Sequence, residues 1–308
     1  MKATEQTLQI GTRNSRLARW QAEHVRALLQ RAWPGLPTRI VFIRSLGDRQ
    51  QGALRVPAGG GIFTAALTEA LLAGHIDLAV HSLKDLPTAT PTGLTFGAIL
   101  RRGSAADALV SRDGETLAGL PAKAVIGTGS PRRAAQLRRL RPDLTVRPVR
   151  GNVHTRVARV MEADDPCAAL LLAEAGLLRL GLAAAIRERL SLRDMVPAPG
   201  QGALAVQCRD EASLLQLLAP LEHAPTRQAV SAERAFLAAL ATGCSAPVAA
   251  HAQVCGGTLR LHGRVLALDG SRRLDLSLTG AAAAAERTGQ RLAQRALRQG
   301  AAELTGAR

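Results

Sequence analysis

Short apolar runs rich in Val, Ile and Leu alternate with segments of helical period along most of this chain, and that alternation narrows the fold more than any other feature. "LQIG" (Leu8–Gly11) reads as a strand leading into a helix that opens near Ser15 and runs to about Arg31, with Leu17, Trp20, His24 and Leu28 on one stripe. "RIVFI" is a second strand, "FTAALTEALLAG" a helix closed by Gly74, "IDLAV" a third strand and "LTFGAIL" a fourth. The same grammar then repeats. "DALV" and "KAVIG" read as strands, and "SPRRAAQLRRL" as a helix with Ser130 at the N-cap and Pro131 in its first turn. "LTVRPV" is a strand, "HTRVARVME" a helix, and "CAALLLAEAG" a strand ending in a Gly turn. Strands buried on both faces and joined by helices build mainly parallel sheets.

From about Pro220 the pattern changes. "TRQAVSAERAFLAALATG" is one amphipathic helix ending at Gly243, and three later runs alternate apolar and polar with period two, as antiparallel strands with one open face do. "CGG" and "LDGS" supply hairpin turns between them, and a closing helix covers about Ala281 to Arg298. "PAPGQGALAVQC" has two Pro and two Gly ahead of a strand and reads as a crossover. The expected architecture is α/β with three domains: 1–101 with 201–219, 102–200, and an α+β domain over 220–308.

Composition excludes several classes. Hydrophobic residues make up 47% and charged residues 21%, which a disordered chain does not have. No apolar run spans a bilayer, and the first residues lack the apolar core of a secretion signal, so the chain is expected to be cytoplasmic. Cys167, Cys208, Cys244 and Cys255 show no CxxC spacing and the seven histidines no metal signature; no metal site is expected.

The net charge of +16 admits three readings: nucleic acid, a polyanionic small molecule, or Arg-rich genomic coding. Aromatics at 2% leave little for base stacking, and coding bias does not explain where arginines cluster. Nine arginines lie between Arg132 and Arg159 against one acid, Asp143. Arg138, Arg139 and Arg141 are expected to be solvated.

Ligands of open α/β sheets bind beyond the carboxyl ends of the strands. Four such ends are polar here: "GTRNS" with Arg13 and Ser15, "HSLKDLP" with Ser82, Lys84 and Asp85, "GTGSPRR" with Thr128, Ser130, Arg132 and Arg133, and "RGNVHTR" with Arg150 and Arg156. Helix N-termini and guanidinium groups both favour carboxylates. Taken singly, each group reads equally as a helix cap or a surface charge. Taken together, they describe a cationic cleft for a ligand with several carboxylates. Asp85 is the only acid between Val80 and Arg102, either a structural partner of Lys84 or an Arg, or a group that stabilises positive charge or moves a proton. Cys244 sits in a Gly-rich turn where an electrophile can reach it; Cys167 and Cys208 lie in strand-like runs and read as core thiols.

In this order, "IGTRNSRLARWQA", "IDLAVHSLKDLPT", "VIGTGSPRR", "VRGNVHTR", "AGLLRLGL", "PAPGQGALAVQCR", "SAERAFL" and "GCSAPV" resemble the porphobilinogen deaminase (hydroxymethylbilane synthase) family over nearly the whole chain. The resemblance implies two periplasmic-binding-protein-like lobes plus a small α+β domain with an open-faced antiparallel sheet. It implies a dipyrromethane cofactor joined by a thioether to Cys244, with Asp85 catalytic. Ser82, Lys84, Thr128, Ser130, Arg132, Arg133, Arg156 and Arg179 match positions holding the cofactor's acetate and propionate groups. Arg13, Ser15 and Arg150 match positions facing the incoming pyrrole. The implied reaction joins four porphobilinogens and releases ammonia, in a monomer with no nucleic-acid or membrane partner.

The chain departs from the family pattern at Leu46, Val56, Gly60, Ala65 and Ala66, where Arg, Lys or Glu is common, and at Gly129, Pro131 and His154. A two-lobed carrier of an anionic solute and a nucleic-acid binder are the competing readings. The first predicts a signal sequence and needs neither Cys244 nor a third domain, and the second predicts affinity that falls steeply with salt and no covalent adduct.

Overall fold

The computed structural model describes residues 7–43, 64–241 and 246–305. The chain divides into two compact units, one comprising Met1–Arg102 with Ala203–Arg227, the other Gly103–Gly202 with Gln228–Arg308. Among the described residues no helix is long and apolar enough to cross a membrane.

The first unit holds a five-stranded sheet of β1 (Leu8–Thr12), β2 (Thr38–Phe42), β3 (Leu78–Ser82), β4 (Leu94–Ile99) and β10 (Leu204–Arg209), in the order β2-β1-β3-β10-β4. β1 is parallel to β2 and β3, whereas β10 runs antiparallel to both β3 and β4. The "PAPGQGALAVQC" crossover therefore inserts a reversed strand into a parallel set. The period-two pattern sends Leu78 and Val80 to one face, against Ala22, Val25 and Leu29 of helix α1 (Arg16–Ala32). Ala79 faces the other way, against Leu67 and Leu71 of helix α2 (Ala65–Leu72).

Helix α1 turns a different stripe inward from the one its sequence suggests: Gln21, Ala22, Val25 and Leu29 are buried. Trp20 is 38% exposed and stacks on His24 with ring centroids 5.0 Å apart. Two large aromatic rings one helical turn apart satisfy each other on the surface, and the smaller side chains let the helix approach the sheet.

The second unit repeats the arrangement with β5 (Asp107–Ser111), β6 (Val125–Gly127), β7 (Thr145–Arg147), β8 (Ala169–Ala173) and β9 (Glu188–Arg189), ordered β7-β6-β8-β5-β9. Again one strand, β5, runs antiparallel to both neighbours, and the rest are parallel. Helices α3 (Pro131–Leu140) and α4 (Val153–Val160) follow β6 and β7. The expected Gly turn after "CAALLLA" is instead helix α5 (Glu174–Arg179), which begins at Glu174 and includes Gly176. Its apolar run continues as Leu177, which is buried, so the segment winds onto the sheet rather than turning away.

The same unit contains the three-stranded antiparallel sheet of β11 (Val248–Cys255), β12 (Thr258–Leu266) and β13 (Arg273–Ala281). Helices α7 (Ala224–Ala239) and α8 (Ala285–Arg298) cover it through Phe236, Leu292 and Ala296, all buried. Short helices α6 (Ala212–Leu218) and α9 (Ala301–Thr305) were not anticipated. The Gly243 end expected for α7, and the departures at Leu46, Val56 and Gly60, lie outside the described residues.

The chain passes between the units three times, after Arg102, Gly202 and Arg227; at the first two of these points the Gly103 N–H donates to the Gly202 carbonyl at 3.1 Å. Gly202 has φ +87°, and a Cβ there would lie 2.4 Å from the Ser104 carbonyl oxygen, so the approach requires glycine.

β3 also buries His81, at 6% exposure. Burial lowers its pKa to about 4, only partly offset by the neighbouring Gln207 side chain. The folded unit holds His81 neutral, so as pH falls from about 6.5 to about 4 the unfolded chain gains a proton that the native one refuses. Stability from this residue is present above pH 6.5 and is lost through that window, by on the order of 3 kcal/mol. His81→Gln is expected to flatten the fall in urea-unfolding free energy over this range. An unchanged slope would exclude His81 as its source.

Candidate active site

In the first unit two strand ends contribute to one cavity. Past β1, the Thr12 hydroxyl donates to the Ala18 carbonyl at 3.1 Å, and the Ser15 hydroxyl caps helix α1 by accepting from the Ala18 N–H at 3.3 Å. These bonds hold the turn that carries Arg13. Past β3 the chain makes a single 3-10 turn, Leu83–Asp85. Leu83 anchors it: the side chain is fully buried, its N–H donates to the Ala203 carbonyl at 3.1 Å, and its own carbonyl accepts from Leu86 at 3.2 Å. With Leu83 pulled inward, Lys84 and Asp85 are turned outward.

The Ser82 hydroxyl accepts from Gln21 Nε2 at 2.7 Å, which leaves its own proton to donate elsewhere. Arg13, Ser15, Gln21, His81, Ser82 and Asp85 all line a cavity of about 90 Å³. Asp85 is exposed and has no hydrogen-bond or ion-pair partner among the described residues. The structural partnership with Lys84 or an arginine, one of the two sequence readings, is thus absent there.

In the second unit the groups past β6 are arranged differently. Thr128 is buried and its hydroxyl accepts from the Ser130 N–H at 3.2 Å. Ser130 in turn caps α3 by accepting from the Arg133 N–H at 3.4 Å. Arg132 and Arg133, at 4% and 7% exposure, converge on Asp107 at the head of β5, which is fully buried. Arg132 Nη2 lies 2.8 Å from Asp107 Oδ2, and Arg133 Nη2 and Nε lie 2.7 and 3.0 Å from Oδ1. Gln201 Nε2 donates to the same Oδ1 at 2.8 Å. Burial works to raise the Asp107 pKa, but the charges of the two guanidiniums and the hydrogen bonds from Arg133 and Gln201 outweigh it and hold the carboxyl well below the usual range. Burial lowers the Arg132 pKa, with Asp107 opposing.

Arg179, at the end of α5, donates from Nη2 to the Gly202 carbonyl at 2.6 Å, and burial pushes its pKa down to about 10. Arg156 is half-buried on α4, and Arg150 is exposed beside Gly151, whose φ is +116°. Cys244 lies outside the described residues. Of the other thiols, Cys167 and Cys208 are buried, and burial raises the Cys208 pKa to about 11.

Of the three arginines expected to be solvated, Arg138 and Arg139 are exposed and Arg141 is half-buried, and all three also make hydrogen bonds. Arg138 and Arg139 donate to the carbonyls of Leu268 and Ser271, and Arg141 pairs with Asp143 at 2.7 Å while donating to Leu120. Sequence reasoning also passed over Asp107, Gln201 and Gln21. The signal for Asp107 was an acid opening an apolar strand in an arginine-rich stretch. Gln21 showed no pattern of its own.

Two family models match the chain: "Porphobilinogen deaminase, dipyromethane cofactor binding domain" over residues 8–216, and "Porphobilinogen deaminase, C-terminal domain" over residues 227–298. A porphobilinogen deaminase of Acidothermus cellulolyticus is 48% identical over 303 residues, covering 96% of this chain and 90% of that protein. One of Moorella thermoacetica is 46% identical over 299 residues, covering 96% and 95%. Among solved structures, a nutrient binding protein from Burkholderia cenocepacia bound to methionine aligns over 70% of this chain and 91% of that one. Its TM-score of 0.42 and 12% identity carry no argument about fold or ligand. Matches of this identity along nearly the full length establish that the chain belongs to the porphobilinogen deaminase family.

Proposed function

We propose that the chain is a deaminating transferase that joins four porphobilinogens head to tail into hydroxymethylbilane, in tetrapyrrole biosynthesis, on a dipyrromethane cofactor bound through a thioether to Cys244. The observation that carries this reading is Asp85: an unpaired carboxylate among the described residues, sharing one cavity with Arg13, Ser15 and Ser82. A lone anion beside cationic and hydroxyl groups suits a ligand that brings carboxylates for the cations and a developing positive charge for the anion.

In this reading Asp85 sits against the positive charge that appears on the pyrrole as its aminomethyl nitrogen departs as ammonia, and it assists the accompanying proton movement. Ser82, whose acceptor side is taken by Gln21, donates its proton to a ligand carboxylate. Lys84, Thr128, Ser130, Arg132, Arg133, Arg156 and Arg179 hold the other acetate and propionate groups of the cofactor, while Arg13, Ser15 and Arg150 receive those of the incoming pyrrole. The fit to an anionic group is supported by Arg132, whose Nε is buried without a hydrogen-bond partner among the described residues. When bound, the dipyrromethane supplies the pyrrole end on which the chain is extended. A covalent link to Cys244 keeps that end in place through successive additions. The protein acts as a cytoplasmic monomer, without nucleic-acid or membrane partners.

Intact-protein mass spectrometry tests the proposal. The wild-type chain is expected to carry the added mass of two linked pyrroles, and Cys244→Ser to carry none while keeping the wild-type far-UV spectrum. An active wild-type protein of unmodified mass would overturn it.

A further inference from the structure

The buried cluster in the second unit is unbalanced in charge. Asp107 is one carboxylate facing two guanidiniums, and the nearest acid on the adjoining strand end, Glu174, is committed to Arg189 at 2.5 Å and to the Ser104 hydroxyl. A buried cation without a matching anion is costly, so the surplus guanidinium charge favours entry of an anion. Arg133 is largely used up within the protein: Nε and Nη2 contact Asp107, Nη1 donates to the Leu171 carbonyl at 3.2 Å, and Nη2 also reaches Gln201 Oε1 at 3.4 Å. Arg132 is not. It donates from Nη1 to the Val196 carbonyl at 2.7 Å, its Nη2 pairs with Asp107 Oδ2 at 2.8 Å, and its buried Nε has no hydrogen-bond partner among the described residues.

The carboxylate between them is held from its far side. Gln201 Nε2 donates to Asp107 Oδ1 and to the Ala105 carbonyl at 2.7 Å, and its own N–H donates to Ala198. Gln201 thereby ties Asp107 to two of the linking segments, those at Gly103 and Gly202, where Gly202 packs against Ser104.

We infer that Asp107, braced by Gln201, is a positioning residue that sets Arg132 and Arg133 with one unbalanced positive charge, reserved for a single ligand carboxylate at Arg132. The inference rests on the reading above, in which these arginines hold carboxylates of the cofactor. Asp107 itself touches no ligand. It neutralises half of the buried charge, so the site folds without ligand, and leaves the other half unspent, so an anion gains by entering.

Asp107→Asn raises the buried surplus to two charges, and the double variant Asp107→Asn/Arg133→Gln returns it to one. Asp107→Asn is expected to melt about 10 °C below wild type and to lose most of its covalent cofactor mass. Sodium acetate at about 0.2 M should restore at least half of that loss, and sodium chloride of equal ionic strength should not. The double variant should melt within a few degrees of wild type without acetate. The inference is overturned if Asp107→Asn matches wild type in melting and cofactor mass, or if neither acetate nor the second substitution restores its stability. Arg132→Met separates the two layers: full cofactor mass in this variant would refute the carboxylate reading of the arginines and leave the charge balance at Asp107 to be judged by melting alone.

Discussion

One buried carboxylate, shared by two guanidiniums, sets the geometry of the second unit. Without Asp107, the first turn of α3 would hold two cations in a site with little water and no facing carboxylate, which destabilises the unit. With it, the turn past β6, the head of β5 and the returning segment at Gln201 are tied to one point. Desolvation opposes the arrangement, and Coulombic attraction at under 3 Å outweighs it, which is why Asp107 stays ionised far into the acid range. Its stabilisation is therefore lost only as pH falls below the ordinary carboxylate range. His81 responds in the same direction, in a milder window.

The two five-stranded sheets share an order in which one reversed strand lies second from an edge. In the first unit that strand is β10, supplied after the chain has passed through the second unit. In the second it is β5, which begins at Asp107. The reversed strands place the linking segments next to the polar ends of the parallel ones. Leu83 meets Ala203 in one unit, and Asp107 meets Gln201 in the other. The same backbone that joins the units thus braces the residues proposed to meet the ligand.

Much of this was legible in the sequence, for physical reasons that differ by element. Strands β1, β3, β5 and β8 are apolar runs flanked by turn residues, and Ser15 and Ser130 announce their helices by capping them as observed. The strand-end rule led to Asp85, Ser82 and Arg13, which line one cavity. What stayed hidden were contacts between residues distant in sequence. Nothing near Asp107 signals that its partners are Arg133 and Gln201, 26 and 94 positions away. The buried stripe of α1 was misread because Trp20 and Leu17 look like core residues, while Gln21 earns its place through Ser82, 61 residues on. Periodicity reports burial of apolar surface and is silent on polar pairing.

The central claim is that the exposed, unpaired carboxylate at the end of β3 carries the chemistry. Asp85→Asn, checked by intact mass to retain a wild-type cofactor load, tests it most directly through ammonia released from porphobilinogen in a single turnover. Loss of a charge that stabilises the developing cation predicts a rate lower by roughly 100-fold or more at unchanged melting temperature. Ammonia release within a few-fold of wild type would contradict the account.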